Sequence, residues 1–291
     1  MVYICADDYG MTEKSCGRIE ECVKNGVLNR ISIFPNTSLS DIKERIKYIN
    51  ASLSAHINLV EGKPVSPAEN VSLITDKRGY FRYSFIGLLA LSLSPERKEL
   101  ERQIYTEISA QLTRWSTEIA PGKPLEIDSH QHTHMIPLIF KILMRVIKDN
   151  GYDVKYIRIP TEPVLPYIKE LSLYKTYSLI NTVKQFLLKF FGLINKRALK
   201  KSNINSALFM GILFSGNMDE YRVNKILPHY LKLCEKTGRD AELLFHPGYI
   251  EKDEELFDTG KQSFNKFYHS PGRKTEYATL KNLIIKQEIL K

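Results

Sequence analysis

The chain has 291 residues, 43% of them apolar and 26% charged, with a formal net charge of +9. That balance suits a globular chain with a full core, in one large domain or two small ones. There is no apolar run of about 18 residues to span a membrane. A positive surplus attracts nucleic acid, anionic membrane or acidic substrates alike. Much of it is concentrated around residues 165–205, which argues against a nucleic-acid footprint.

Short apolar runs alternate with longer amphipathic ones, the pattern of an α/β fold. Strands are expected at residues 2–6, 30–34, 54–58, 125–128, 155–159, 207–213 and 241–245. A helix is expected over 11–25, with Cys16, Ile19, Cys22 and Val23 at helical spacing and Gly26 as its stop. A second runs from Ser94, a candidate N-cap followed by Pro95, to about Ile119. Two more are expected over 137–150 and 218–238. Repeated strand–helix units predict a closed or nearly closed (β/α) barrel, incomplete if the count of about seven strands holds. Cys5, Cys16, Cys22 and Cys234 show no CxxC spacing and are expected to be reduced, mostly buried thiols. The start of the chain lacks the features of a signal peptide, so the expected location is cytoplasmic.

Two segments interrupt the alternation. Residues 62–93 contain Pro64, Pro67 and Gly79 and predict a long loop with a short helix. Residues 165–205 carry Leu179, Val183, Phe186, Leu187, Phe190, Leu193 and Ile194 as an apolar helical stripe, with Lys184, Lys189, Lys196, Arg197, Lys200 and Lys201 around or after it. Such a stripe belongs to a core-facing helix with a solvated basic face. Alternatively it belongs to an interfacial helix that meets an anionic membrane, a carrier lipid or a partner through about 176–201, a homodimer included.

Chemistry gathers at the ends of the expected strands, where (β/α) barrels carry their active sites. The first ends in Asp7-Asp8, followed by Tyr9. The third carries His56 and Asn58, and the fourth ends in Leu125-Glu-Ile-Asp-Ser-His-Gln-His-Thr-His134. If that segment stays extended, Asp128, His130, His132 and His134 share one face. Clustered imidazoles beside a carboxylate are material for a metal site. Asp8 before Gly10 and a helix also fits a simple N-cap, and His56 becomes a ligand candidate only beside the other motifs. Arg158 fits either a substrate contact or a salt bridge to Asp7 or Asp128. His246, fixed by Pro247-Gly248, suits acid–base work, and Glu242 is a distant candidate to orient it. Tyr9, Tyr80 and Phe81 could stack on sugar rings.

Ala6-Asp-Asp-Tyr-Gly10, His56-Ile-Asn-Leu-Val-Glu-Gly62, Asp128-Ser-His-Gln-His-Thr-His134 and Leu244-Phe-His-Pro-Gly248 resemble, in order and spacing, the motifs of the YdjC-like carbohydrate deacetylases, the group that includes chitooligosaccharide deacetylase. Arg273-Lys-Thr-Glu276 resembles an Arg-x-x-Glu element near that family's C-terminus. Gln131 stands where the family often has another histidine, and the basic segment at 165–205 has no match. The resemblance implies a single deacetylase-like domain over 1–291, an α/β variant (β/α) barrel of about seven strands, polysaccharide-deacetylase-like, with a helical insertion at about 165–205. It implies one divalent metal, magnesium or zinc, on Asp8, His56 and His130. Asp7 would be the general base and His246 the general acid. Asp128, His132, His134, Arg158, Asn58 and Tyr9 would stand behind the metal or touch substrate. The implied reaction removes the N-acetyl group from an N-acetylated sugar, free or carrier-linked. A metal-dependent phosphoesterase or amidohydrolase on the same kind of barrel is the alternative, with His132 and His134 as further ligands.

Overall fold

The computed structural model describes residues 1–24, 27–254, 261 and 266–283; Gly26, expected as a helix stop, lies outside them. In chain order the elements are β1 (Val2–Tyr9), α1 (Glu13–Lys24), β2 (Arg30–Ile33), α2 (Ile42–Ile46), β3 (Ser52–Ile57), α3 (Phe85–Ser92), α4 (Arg97–Arg114), β4 (Leu125–Ser129), α5 (Pro137–Asp149), β5 (Val154–Ile157), α6 (Val164–Lys169), α7 (Leu179–Ser202), β6 (Leu208–Met210), α8 (Glu220–Thr237), β7 (Ala241–Phe245) and α9 (Pro271–Asn282). The seven strands form one sheet in the order β5-β4-β3-β2-β1-β7-β6. All neighbours are parallel. Crossover helices cover its outer face, which is why strands such as β2 and β7 are buried along their whole length.

The sheet curls into a half-barrel. Between β5 and β6 no ladder forms. The seam carries a single parallel bridge, Tyr156 with Asn205, in which the Ile157 N–H donates to the Asn205 carbonyl at 3.1 Å. The expected strands are all present, shifted at their ends. α2 was not anticipated: it is five residues long and buries only Ile42 and Ile46, too little for a periodic signal. α4 starts later than expected. Ser94 shapes the preceding turn instead of capping the helix, its Oγ accepting from the Glu96 N–H at 3.2 Å. Cys5, Cys16 and Cys22 are buried free thiols and Cys234 is half-buried. Among the described residues no helix is long and apolar enough to cross a membrane.

The stripe on α7 faces the opposite way from a core helix. Leu179, Val183, Phe186 and Leu193 are 60–79% exposed, while the side turned to the barrel presents Gln185, Leu188, Phe191 and Asn195. The residues that bury α7 are few and half polar. Asn195 Nδ2 donates to the Met135 carbonyl at 2.9 Å and Gln185 Nε2 to the Glu162 carbonyl at 2.8 Å.

Glu162 holds the open seam. It follows β5, is buried, and accepts from the N–H groups of Gly211 (2.6 Å), Ile212 (2.9 Å) and Leu213 (3.0 Å) just beyond β6. Tyr167 Oη also donates to it, at 2.8 Å. Gly211 makes this approach feasible: its φ is +145°, and a Cβ there would lie 2.7 Å from that of Leu244. Removing the carboxylate leaves three buried N–H groups without an acceptor. Glu162→Ala should therefore cost about 3–5 kcal/mol of stability. Urea unfolding followed by circular dichroism would show this as a lowered midpoint; an unchanged midpoint would mean the seam is held elsewhere.

Candidate active site

The lumen of the half-barrel is charged. Near its floor Arg30 lies between the Tyr3 and Tyr156 rings and pairs with Glu126 at 2.8 Å. Above it Arg158, fully buried, donates from Nε to Glu242 (2.8 Å), from Nη1 to Asp7 Oδ2 (2.7 Å) and from Nη2 to Asp7 Oδ1 (2.9 Å). Its Nη2 also lies 3.1 Å from Asp128 Oδ2. Of the two expectations for Arg158, substrate contact is corrected: no part of it reaches solvent. Glu242 binds Arg158 and Tyr156 and does not orient His246.

At the mouth, β1 breaks register with β2 between Ala6 and Tyr9, and Asp8 adopts φ +67°. The irregularity turns two adjacent carboxylates to different tasks. Asp7 points down to Arg158. Asp8 points across the mouth, where its Oδ1 is 3.0 Å from His130 Nδ1 and 3.5 Å from His56 Nε2. Its other oxygen accepts from Arg273. Both imidazoles are held by a second carboxylate on the far nitrogen: His56 Nδ1 by Asp128 at 2.6 Å, His130 Nε2 by Glu61 at 2.6 Å. Phe34 packs edge-on against both rings, 5.0 and 5.2 Å between centroids.

The segment after β4 does not stay extended. Residues His130–Met135 form a 3₁₀ turn in which Gln131 and His132 have φ of +52° and +58°. The turn separates the histidines. His130 faces Asp8, and His132 lines the cavity with its Nδ1 buried and without a hydrogen-bond partner. His134 is turned away, with Nδ1 2.5 Å from Ser129 Oγ and Nε2 2.8 Å from the Arg158 carbonyl. The shared face expected for the three is thus corrected. Tyr9 is also corrected: it is buried and donates to Glu20 at 2.7 Å, away from the cavity. Phe81 lies in the core. Tyr80 packs against Lys63 and Arg78. Asn58 is buried and acts on the loop, its Oδ1 accepting from the Val60 and Glu61 N–H groups at 3.1 Å each. That loop carries Glu61.

A cavity of about 310 Å³ opens over this array, lined by Asp7, Asp8, His56, His130, Gln131, His132, Lys184, Ser215, His246 and Phe267. α9 braces it: Arg273 reaches Asp8, and Glu276, one turn on, accepts from the His246 N–H at 2.5 Å and lies 3.3 Å from His246 Nδ1. Glu61, Glu276 and Lys184 were not anticipated at the site. The first two sit inside motifs that sequence alone exposes, but nothing in the spacing assigns them a partner. Lys184 looked like any residue of a basic helix face.

Buried acidic groups outnumber buried guanidiniums around the mouth. Six buried carboxylates (Asp7, Asp8, Glu61, Asp128, Glu242, Glu276) surround three buried guanidiniums (Arg30, Arg158, Arg273). Burial alone would push His56 down; Asp7 and Asp128 outweigh it and raise it to about 10. Burial likewise opposes His130, yet Glu61 and Asp8 raise it to about 9. Burial would raise Asp8, but Arg273 and His130 hold it well below the usual carboxylate range. His132 goes the other way: burial, then Lys184 and Arg158, keep it neutral. Burial lowers Lys184 to about 8 against the attraction of Asp7 and Glu162.

Asp8, His56 and His130 each offer one ligand atom within 4.8 Å of the others. His56 Nε2 is buried, makes no hydrogen bond and faces Asp8 Oδ1 at 3.5 Å, and two nitrogens plus an oxygen suit a divalent cation. Cys5, Asp7 and Asp128 also converge within 4.8 Å. There the space is taken by Arg158 Nη2, 2.9 Å from Cys5 Sγ, so the guanidinium stands where an ion would.

A curled parallel sheet with a His₂–carboxylate cluster at its strand ends defines an α/β half-barrel protein whose mouth gathers side chains that could hold a metal ion. The chain belongs to the YdjC-like family, whose profile, described as YdjC-like protein, matches residues 1–290. It is 29% identical over 165 residues to a carbohydrate deacetylase of Danio rerio, 56% of this chain and about half (51%) of that protein. It is 27% identical over 255 residues to that of Mus musculus, 84% and 77% of the two chains. With the carbohydrate deacetylase of Thermoanaerobacter pseudethanolicus it shares 25% over 251 residues, 85% and 81%. A crystal structure from Enterococcus faecalis, described in terms of cellobiose-phosphate cleavage, superposes with a TM-score of 0.66 at 16% identity, covering 99% of this chain and 92% of that one. The last likeness is one of fold.

The raised histidines fix the sign of a pH effect. Their protons add stability to the metal-free protein that is complete below the ordinary value of about 6.5 and is lost as pH rises through about 9 and 10. Chelated protein should melt at a lower temperature near pH 10 than near pH 7. Added zinc must displace those protons, so its stabilising shift should be larger near pH 9 than near pH 6. Calorimetry that gave equal zinc shifts at both pH values would sink the ligand assignment.

Proposed function

We propose that the chain is a metal-dependent carbohydrate N-deacetylase. The observation that carries this reading is the convergence, on one cavity, of the Asp8–His56–His130 donor set with Asp7 and His246. Membership of a family with carbohydrate deacetylases among its members supports it. The ligand set suits zinc, and magnesium with more water ligands.

Asp8, His56 and His130 would hold the metal, with Asp128 and Glu61 fixing the two rings and their tautomers. A bound divalent cation would supply polarisation of the acetyl carbonyl and a water acidic near pH 7. Asp7 takes the proton of the attacking water. The two Arg158 hydrogen bonds aim its carboxylate. His246 delivers a proton to the departing sugar nitrogen, its ring and backbone N–H positioned by Glu276. Neutral His132 and the Lys184 ammonium line the same cavity and contact the substrate's polar groups. The alternative with several metals loses one of its two further ligands, because both nitrogens of His134 are engaged elsewhere.

Acetate release from a panel of N-acetylated sugars, free, nucleotide-linked and lipid-linked, should be abolished by chelator and restored by metal. Absence of release from every member after metal loading would overturn the reading. Asp7→Asn should lower turnover by roughly 10²–10⁴-fold while metal content stays at one per chain. His130→Ala should lose both; full metal content in that variant would count against His130 as a ligand.

A further inference from the structure

Exposed apolar surface is concentrated in one place. Of the large apolar side chains that are exposed among the described residues, most lie between Val164 and Ile194. Leu179 and Ile180 are each 79% exposed, Leu193 66%, Phe186 65% and Phe190 58%. At about 100° per residue, Leu179, Val183, Phe186, Phe190 and Leu193 fall on a single strip of α7. Solitary exposed apolar residues need no explanation, but a continuous strip several turns long marks an interaction surface.

Charge decides what covers it. Residues 171–202 contain no aspartate or glutamate, but they contain Lys175, Lys184, Lys189, Lys196, Arg197, Lys200 and Lys201. On the helix, exposed Lys189, Lys196 and Lys200 flank the strip on one side, and Arg197 and Lys201 continue it at the C-terminal end. A second copy of this chain fits poorly, because a two-fold contact through α7 would bring this basic rim against itself with no acid to meet it. An anionic lipid surface satisfies both features: acyl chains accept Leu179, Phe186, Phe190 and Leu193, and headgroups meet the lysines.

We propose that the outer face of α7, with the exposed side of α6, docks flat on an anionic membrane. The helix then joins two surfaces. Its outer strip lies in the headgroup layer, and Lys184, on the flank turned to the barrel, lines the cavity beside Asp7 and His132. Docking therefore holds the cavity one helix diameter, ~10 Å, behind the membrane surface. The docking requires no catalysis, so it stands or falls separately from the deacetylase reading.

The test is co-sedimentation of the full chain with phosphatidylcholine vesicles, with and without about 30% phosphatidylglycerol. Binding to the anionic vesicles should exceed that to pure phosphatidylcholine by ~10-fold or more and should fall sharply in about 0.5 M salt. Phe186→Asp with Leu193→Asp should return it to the phosphatidylcholine level with an unchanged circular dichroism spectrum. If that variant loses its fold, Lys189→Glu with Lys196→Glu and Lys200→Glu serves instead and should do the same. Binding no greater with phosphatidylglycerol than without it would overturn the proposal. So would a concentration-dependent dimer in analytical ultracentrifugation that the same substitutions dissolve.

Discussion

The site depends on Arg158. A guanidinium with no exposure to water is costly to bury, and only a dense set of acceptors compensates for it. Here the acceptors are Asp7 in β1, Asp128 in β4 and Glu242 in β7, so one cation from the chain after β5 ties together strands from across the half-barrel. The planar fork sets the angle of the Asp7 carboxylate through two bonds, and by holding Asp128 it also fixes the group that holds His56. A barrel lumen is ordinarily filled by branched apolar side chains in layers. This one uses a ladder of ions, and the ladder delivers orientation from the floor to the mouth.

The same arrangement makes the mouth favourable to positive charge. Every carboxylate brought in to orient something adds negative charge, and the three guanidiniums do not offset all of it. In the metal-free chain protons on His56 and His130, both favoured by the neighbouring carboxylates, offset two of the three negative charges left over. A divalent cation at the same point replaces two such protons without changing the charge. Asp8 can take part only because the backbone there leaves the strand geometry, in the left-handed region that aspartate tolerates better than most residues. Arg273, from near the far end of the described chain, clamps it.

The strands were legible because parallel, two-sided burial leaves continuous apolar runs, and the acidic and imidazole groups at their ends were legible because strand ends face the site. Rotational detail was not. Two consecutive left-handed residues, Gln131 and His132, redirect the histidine run, and nothing in the spacing of His130, His132 and His134 distinguishes a turn of this kind from an extended strand. Partners were equally opaque. Glu276 orients His246 and Glu61 orients His130, and both depend on loops and a helix whose return to the mouth is a tertiary fact. The α7 stripe was visible in the sequence but its direction was not, since periodicity states that a helix has an apolar face and leaves open which way it turns.

That direction follows from the topology. The sheet lacks a ladder only at the β5–β6 seam, and α6 and α7 are inserted there. Glu162 closes the seam through backbone groups, and α7 needs to cover only the narrow gap that remains. Gln185, Leu188, Phe191 and Asn195 suffice for this, one side of a 24-residue helix. A helix kept only to cover a gap would carry a polar outer face. This one carries leucine and phenylalanine there, framed by lysine and arginine and free of acid, and the docking proposal rests on that contrast. The wall of the cavity and the exposed apolar strip are two sides of one rigid element, and whatever holds the strip also sets the direction in which the active site opens.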